Sequence, residues 1–161
     1  MMRPNKDDKG QARAYALRLI KFRLRSEHEL RDKLARKAYP GSVIDETLVF
    51  LKRSGLLDDE AFARAWVEGR IRRPLGRVRL RRELQAKGID SRWIEAALEN
   101  ACRNYDEKEV IRGLIHRKME RMKDLEKEKI RARLFGYLVR RGYPQNLVVE
   151  TILEETAGSL D

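Results

Sequence analysis

Residues 80–94 read LRRELQAKGIDSRWI, residues 30–44 read LRDKLARKAYPGSVI, and residues 134–148 read LFGYLVRRGYPQNLV. The three stretches follow one pattern. Two leucines stand four apart: Leu30 and Leu34, Leu80 and Leu84, Leu134 and Leu138. A basic, a small and an apolar residue follow as Lys37-Ala38-Tyr39, Lys87-Gly88-Ile89 and Arg141-Gly142-Tyr143. The same offsets carry Ile44 to Ile94 and Val148, and Leu48 to Leu98 and Ile152. The shift is 50 residues and then 54, and the extra four fall in the charged region 116–129. Apolar positions held in phase over two shifts mark an internal repeat, and a period near 50 residues points to a stacked array.

Each repeat reads as three helices. In the first, Ala16, Leu17, Leu19, Ile20 and Leu24 give helical spacing over 12–25. Ser26 with Glu29 forms a capping-box pattern that starts a second helix near 27. Pro40-Gly41 breaks the chain, Ser42 caps a third helix, and Gly55 stops it. In the second, Asp58-Asp59 open a helix through Phe62 and Trp66, Pro74 and Gly76 turn the chain, and Asp90 or Ser91 caps the last helix. In the third, Ile111 and Leu114 begin the core, and Pro144 sits where a first-turn proline is tolerated. Gly88 and Gly142 end helices in the left-handed pose. Ala38 holds the same slot, so its turn must close differently or carry roughly 1 kcal/mol of strain. The expected fold is all-α and elongated: three tandem three-helix repeats stacked in a curved array. A disordered tail is expected over 1–11, the repeats over 12–57, 58–104 and 105–156, and a short tail over 157–161.

Composition fits that reading. The chain has 161 residues, of which 42% are apolar, enough for a core, and 39% are charged, well above the usual quarter. So much charge for the mass suits an open helical shape. No window approaches the ~18 apolar residues of a membrane span. No charged–apolar–small leader opens the chain, and the single Cys102 excludes an internal disulfide and a cysteine-based zinc site. A monomer in the reducing cytoplasm is expected.

Catalytic patterns are missing from the sequence. His28 and His116 each lack a second histidine one turn away and read as surface residues. There is no phosphate loop, dinucleotide fingerprint or nucleophile elbow. Asp58-Asp59-Glu60 could be drawn as a cation site, but acids at a helix N-terminus complement its partial positive charge. Cys102 reads as a small buried hydrophobe, and Trp66 and Trp93 as core. No enzyme activity, cofactor or metal is expected.

The charge itself is informative. The 37 basic and 26 acidic residues give +11, and the excess lies forward: +7 over 1–57, +3 over 58–105 and +1 over 106–161. The last third therefore reads as a balanced, salt-bridged surface. Residues 70–82 hold seven arginines, Arg70, Arg72, Arg73, Arg77, Arg79, Arg81 and Arg82, with no acid and no lysine. Arginine offers a planar donor fork suited to phosphate and carboxylate. These seven are the candidate binding residues. A solvated face is the bland alternative, and Arg72 and Arg73 also suit a helix C-terminus. No aromatics interleave the run, so backbone phosphates or acidic protein surfaces are better targets than stacked bases.

At these residues the chain resembles the RecX family, regulators of the bacterial recombinase RecA. The resemblance rests on Arg25-Ser26-Glu27-His28-Glu29-Leu30 with Leu34, on Gly55-Leu56-Leu57-Asp58-Asp59-Glu60-Ala61-Phe62-Ala63, on Gly76-Arg77-Val78-Arg79-Leu80-Arg81-Arg82-Glu83-Leu84 with Lys87-Gly88-Ile89, and on Arg140-Arg141-Gly142-Tyr143. It covers roughly residues 12–155. It implies three three-helix repeats, and a protein lying in the groove of the RecA filament on DNA. There it would limit filament growth and lower recombinase and ATPase activity, in recombination, repair and the SOS response. Of the site residues, only the arginine segment is carried over. Charge alone supports a second reading, a general basic helical protein acting on bare DNA.

Overall fold

The computed structural model describes residues 6–71, 73–103, 105–122 and 125–157. Among them there are nine α-helices and no strand: α1 (Lys6–Phe22), α2 (Glu27–Ala35), α3 (Gly41–Arg53), α4 (Asp59–Ile71), α5 (Arg77–Gln85), α6 (Ser91–Cys102), α7 (Glu107–Met119), α8 (Lys127–Arg140) and α9 (Gln145–Ala157). The fold is an all-α repeat, with α2, α5 and α8 as the middle helices of the three sets. The sequence insertion lengthens α8 to 14 residues against 9 in α2 and α5, about one extra turn at its start.

The leucine pairs of the repeat are its anchors. Leu30, Leu34, Leu80, Leu84, Leu134 and Leu138 are all within 1% of full burial. Around them the first repeat closes a core with Ala12, Ala16, Val43, Leu48 and Leu51, and the third with Ile111, Ile115, Ile130, Tyr143 and Val148. Each buried leucine contributes roughly 1.5–3 kcal/mol by leaving water.

Several local expectations are corrected. The helix expected over 12–25 is α1, which begins at Lys6 within the segment read as a tail and ends at Phe22. Ala12 and Ala16 are fully buried, so a helical turn upstream of Ala12 is needed to present it, and Lys9 pairs with Glu46 of α3 at 2.7 Å. Leu24 is 53% exposed and lies beyond the helix. Pro40, not Ser42, is the N-cap of α3: its carbonyl accepts from Ile44 at 3.0 Å. Ser26 does cap α2, accepting from the Glu29 N–H at 3.1 Å, but the Glu29 carboxylate turns to Arg23 and Lys87. Trp66 and Trp93 are half-buried rather than core, each facing a cation: Lys87 lies 4.3 Å over Trp66 and Arg92 4.5 Å over Trp93. Cys102 is also only half-buried; burial and the nearby Glu107 carboxylate push its thiol up. Residues 1–5 and 158–161 of the expected tails lie outside the described residues.

The three turns after the middle helices close identically. Gly88 and Gly142 have φ of 71° and 86°, and Ala38 has φ of 60°. In each turn that residue's N–H bonds three residues back, to Ala35, Gln85 or Val139, at 2.8–2.9 Å. The next N–H reaches Leu34, Leu84 or Leu138 at 3.2–3.4 Å, completing a Schellman closure. Of the two alternatives for Ala38, strain is therefore the one realised.

Two compact units divide the described chain: residues up to Trp66 with Leu84–Ala97, and Val67–Glu83 with residues from Leu98 onward. In the first, the turn after α5 sits on the start of α2. Ser26 Oγ donates to the Lys87 carbonyl at 2.7 Å, the Glu27 N–H donates to Asp59 Oδ1 at 2.9 Å, and Lys87 Nζ meets Glu29 at 2.6 Å. In the second, the turn after α8 sits on the start of α5. The Gly76 N–H donates to the Arg141 carbonyl at 2.9 Å, the Val78 N–H to Gly142 at 3.0 Å, and the Arg77 N–H to Glu107 Oε1 at 3.1 Å. A carboxylate from the first residue of α4 or α7 thus closes the N-terminus of the preceding middle helix in both. Two members of the acidic run serve helix starts, Asp58 accepting from the Ala61 N–H of its own helix and Asp59 from the Glu27 N–H, and Asp90 accepts from the Arg92 N–H at the start of α6.

Candidate functional site

The arginine segment runs from the end of α4 through the turn into α5. Glu83, one residue past the acid-free run, gathers two of its members: Arg70 Nε at 3.2 Å and Arg79 Nε at 3.0 Å. Glu107, buried at the start of α7, takes Arg77 Nε at 3.0 Å as well as its backbone N–H. Arg81 is half-buried and engaged. Arg73 and Arg82 are exposed, and Arg72 lies outside the described residues. Arg70, Arg77 and Arg79 therefore help hold α4, α5 and α7 in place. They are not spent by this: the Arg77 and Arg79 side chains remain 49% exposed, and a guanidinium has five donors. The segment thus joins a structural duty to a donor-rich surface centred on Arg73, Arg77, Arg79 and Arg82. Sequence reading missed the first part because Glu83 and Glu107 stand outside the run.

The third repeat corrects the reading of its surface as uniformly balanced. Between α7 and α9 it is. Lys108 reaches Glu150 at 2.6 Å and Glu154 at 2.8 Å, Arg112 reaches Glu155 at 2.7 Å, and His116 reaches the same carboxylate at 2.5 Å. The His116 ring bond, with Arg112, holds the Glu155 carboxyl below its ordinary value against the opposing effect of burial. Between α7 and α8 the picture reverses. Lys118, Arg121, Arg133 and Arg140 line a cleft with Met122 and Tyr137, and no acid is among its described lining residues. None of these four cations has a carboxylate partner among the described residues. The signal was present in the sequence: residues 129–141 contain five cations and no acid, with Arg133, Tyr137 and Arg140 at helical spacing. The net charge of +1 for the last third concealed it, since a sum over a segment ignores which face each charge occupies.

Known proteins resemble the chain along almost its whole length. It matches "RecX, first three-helix domain" over residues 12–51, "RecX, second three-helix domain" over 58–98 and "RecX, third three-helix domain" over 106–152. It is 37% identical over 156 residues to the regulatory protein RecX of Streptomyces lividans, covering 94% of this chain and 82% of that one. The chain belongs to the RecX family. The regulatory protein RecX of Mycobacterium ulcerans is 39% identical over 154 residues, covering 94% of this chain and 88% of the other. Among solved structures, RecX from Lactobacillus salivarius superposes with a TM-score of 0.83 at 21% identity, over 95% of this chain and 99% of that one. At that identity the likeness speaks for the fold. RecX relatives are named regulatory proteins, and a regulatory role comes with the family. No helix among the described residues is long and apolar enough to cross a membrane.

Proposed function

We propose that this RecX-family protein binds the RecA recombinase filament on DNA, in its groove, and lowers its recombinase and ATPase activities in recombination, repair and the SOS response. The observation that supports this most is the serial reuse of one junction. The same capped helix start receives the same Schellman turn twice. A chain of linked modules suits a partner that is itself periodic: weak contacts to successive subunits add through high effective concentration. The arginine segment supplies guanidinium forks for acidic filament surface or for phosphates in the groove. The protein acts in this reading as a cytoplasmic monomeric binder and not as an enzyme.

The test is ATP hydrolysis by RecA on single-stranded DNA with the protein added. A fall in rate is expected as it approaches stoichiometry with the filament; an unchanged rate in excess counts against the proposal. Arg73→Ala with Arg82→Ala, two exposed members of the segment, should weaken that inhibition while leaving the melting temperature nearly unaltered. Tight binding to bare duplex, with no preference for the filament, would favour the general DNA-binding reading instead.

A further inference from the structure

We infer that the α7–α8 cleft of the third repeat is a binding site for the phosphodiester backbone of a nucleic-acid strand. This does not rest on the filament proposal, and the probe is bare oligonucleotide. Four cations, Lys118, Arg121, Arg133 and Arg140, converge on one cleft with no acid among its described lining residues. The same repeat neutralises Lys108, Arg112 and His116 with carboxylates of α9. Cations on the α8 side are thus left unneutralised by a repeat that has acids to use.

Helix ends explain part of this arrangement but not all. Lys118 lies in the last turn of α7 and Arg140 in the last turn of α8, where the macrodipole favours cations. Arg133 lies in the body of α8, with Lys129 and Tyr137 as its i±4 neighbours, and gains nothing from a helix end. Gly136 adds an independent sign. A glycine inside a helix is worse than alanine by about 1 kcal/mol. Here a Cβ at 136 would lie 3.1 Å from Arg140 Nη1, tight enough to push that guanidinium aside. The helix forgoes stability at Gly136 and leaves room for a cation in the cleft. Guanidinium forks suit phosphate oxygens, and the Tyr137 ring holds Lys118 at 5.1 Å on the cleft wall. The repeating charge of a strand matches cations spread over α7, the turn after it and α8 better than a single small anion would.

The experiment measures binding of a fluorescent oligothymidylate by anisotropy across a salt series. Two charge-matched variants of the full chain are compared with the parent: Arg133→Ala with Arg140→Ala, and the exposed control pair Arg92→Ala with Arg103→Ala. The cleft pair should lower the slope of log K against log salt by about 1.4, at about 0.7 per phosphate contact on a single strand. The control pair should leave it within about 0.3. Circular dichroism melting checks that both variants fold, as expected for exposed arginines. Equal loss in both pairs would mean a diffuse field and would overturn the site. An unchanged slope in the cleft pair would overturn it too. Polyglutamate competing with the oligonucleotide as well as unlabelled oligonucleotide does would transfer the cleft to an acidic protein.

Discussion

The two junctions share a plan and differ in material. At the start of α2 the contact is made by side chains: the Ser26 hydroxyl on the Lys87 carbonyl, and the Glu29 carboxylate on the Lys87 ammonium, itself lying over Trp66. At the start of α5 the slot of Ser26 is Gly76, and backbone meets backbone, with the Gly76 and Val78 N–H groups on the Arg141 and Gly142 carbonyls. One contact can be tuned by charge; the other is governed by volume. The repeat conserves the geometry of the joint and leaves its chemistry free.

Volume should decide the largest effect. A Cβ on Gly76 would overlap the Gly142 carbonyl, and one on Gly142 would overlap the Arg79 backbone and Cβ. Neither obstacle is a flexible side-chain end. Gly142→Ala also places alanine at a φ of 86°, so a loss of about 3 kcal/mol or more is expected from overpacking and strain together. Gly88→Ala meets His28 Cβ at 2.5 Å and Cγ at 2.7 Å, which α2 must move to relieve, but no backbone atom is among its nearest neighbours, so a smaller loss of about 2 kcal/mol is expected there. Urea unfolding reads both. Equal losses would erase the distinction between a backbone joint and a side-chain joint.

Second in size is the carboxylate that closes each middle helix. Glu107 is nearly buried and serves both the Arg77 N–H and its guanidinium. Glu107→Ala leaves the part-buried Arg77 N–H without its acceptor while the half-exposed guanidinium turns to water, and should cost roughly 1–2 kcal/mol in urea unfolding. Asp59 accepts from the Glu27 N–H, and burial raises its carboxyl above the ordinary value despite that bond. Asp59→Asn keeps an acceptor and removes the buried charge, so it should fall within about 0.5 kcal/mol of the parent. A large loss for Asp59→Asn would show that the charge, not the oxygen, holds α2.

The side-chain joint should also respond to acid. Burial alone would raise the Glu29 carboxyl, but the Arg23 fork and the Lys87 ammonium reverse this and lower it from 4.5 to about 2. A depressed carboxyl stabilises the fold above its unfolded value. That contribution is whole above pH 4.5 and fades as pH falls toward about 2. Thermal melts of the parent and Glu29→Gln should therefore differ most near neutral pH and converge in acid. A gap that widened toward pH 2 would assign the stabilisation elsewhere. The raised Asp59 carboxyl works in the opposite sense: the strain of its charge is relieved as pH falls, which blunts the acid loss in this unit alone.

Much of this architecture was legible in the order of residues. The leucine pairs, the glycine turns and the helix count follow from period and phase, which any folded chain must respect. The lost details are those that depend on a distant partner. Glu29 completes a capping-box pattern, yet Lys87 lies 58 positions away and outcompetes the local bond. The arginine run looked unpaired because Glu107 is 30 positions from Arg77. The cationic cleft was hidden by summation over two faces of α7, one matched by α9 and one not. Sequence period reports which side faces the core; it does not report which neighbour arrives on the other.

Ala38 tests the smallest difference between the repeats. It holds a φ of 60° in the slot where Gly88 and Gly142 hold 71° and 86°, with the same two hydrogen bonds around it. Left-handed backbone costs an alanine about 1 kcal/mol relative to glycine, since its Cβ crowds the neighbouring carbonyl. Ala38→Gly relieves that strain but frees the unfolded chain, which opposes it by roughly 0.5 kcal/mol. A net gain of about 0.5 kcal/mol is therefore expected in urea unfolding, opposite in sign to the loss from Gly88→Ala. Ala38 is exposed, so no packing term enters. A net loss from Ala38→Gly would mean that the methyl holds this turn by restricting the unfolded chain more strongly than the left-handed pose strains it, and the three turns would then be alike in form but not in what maintains them.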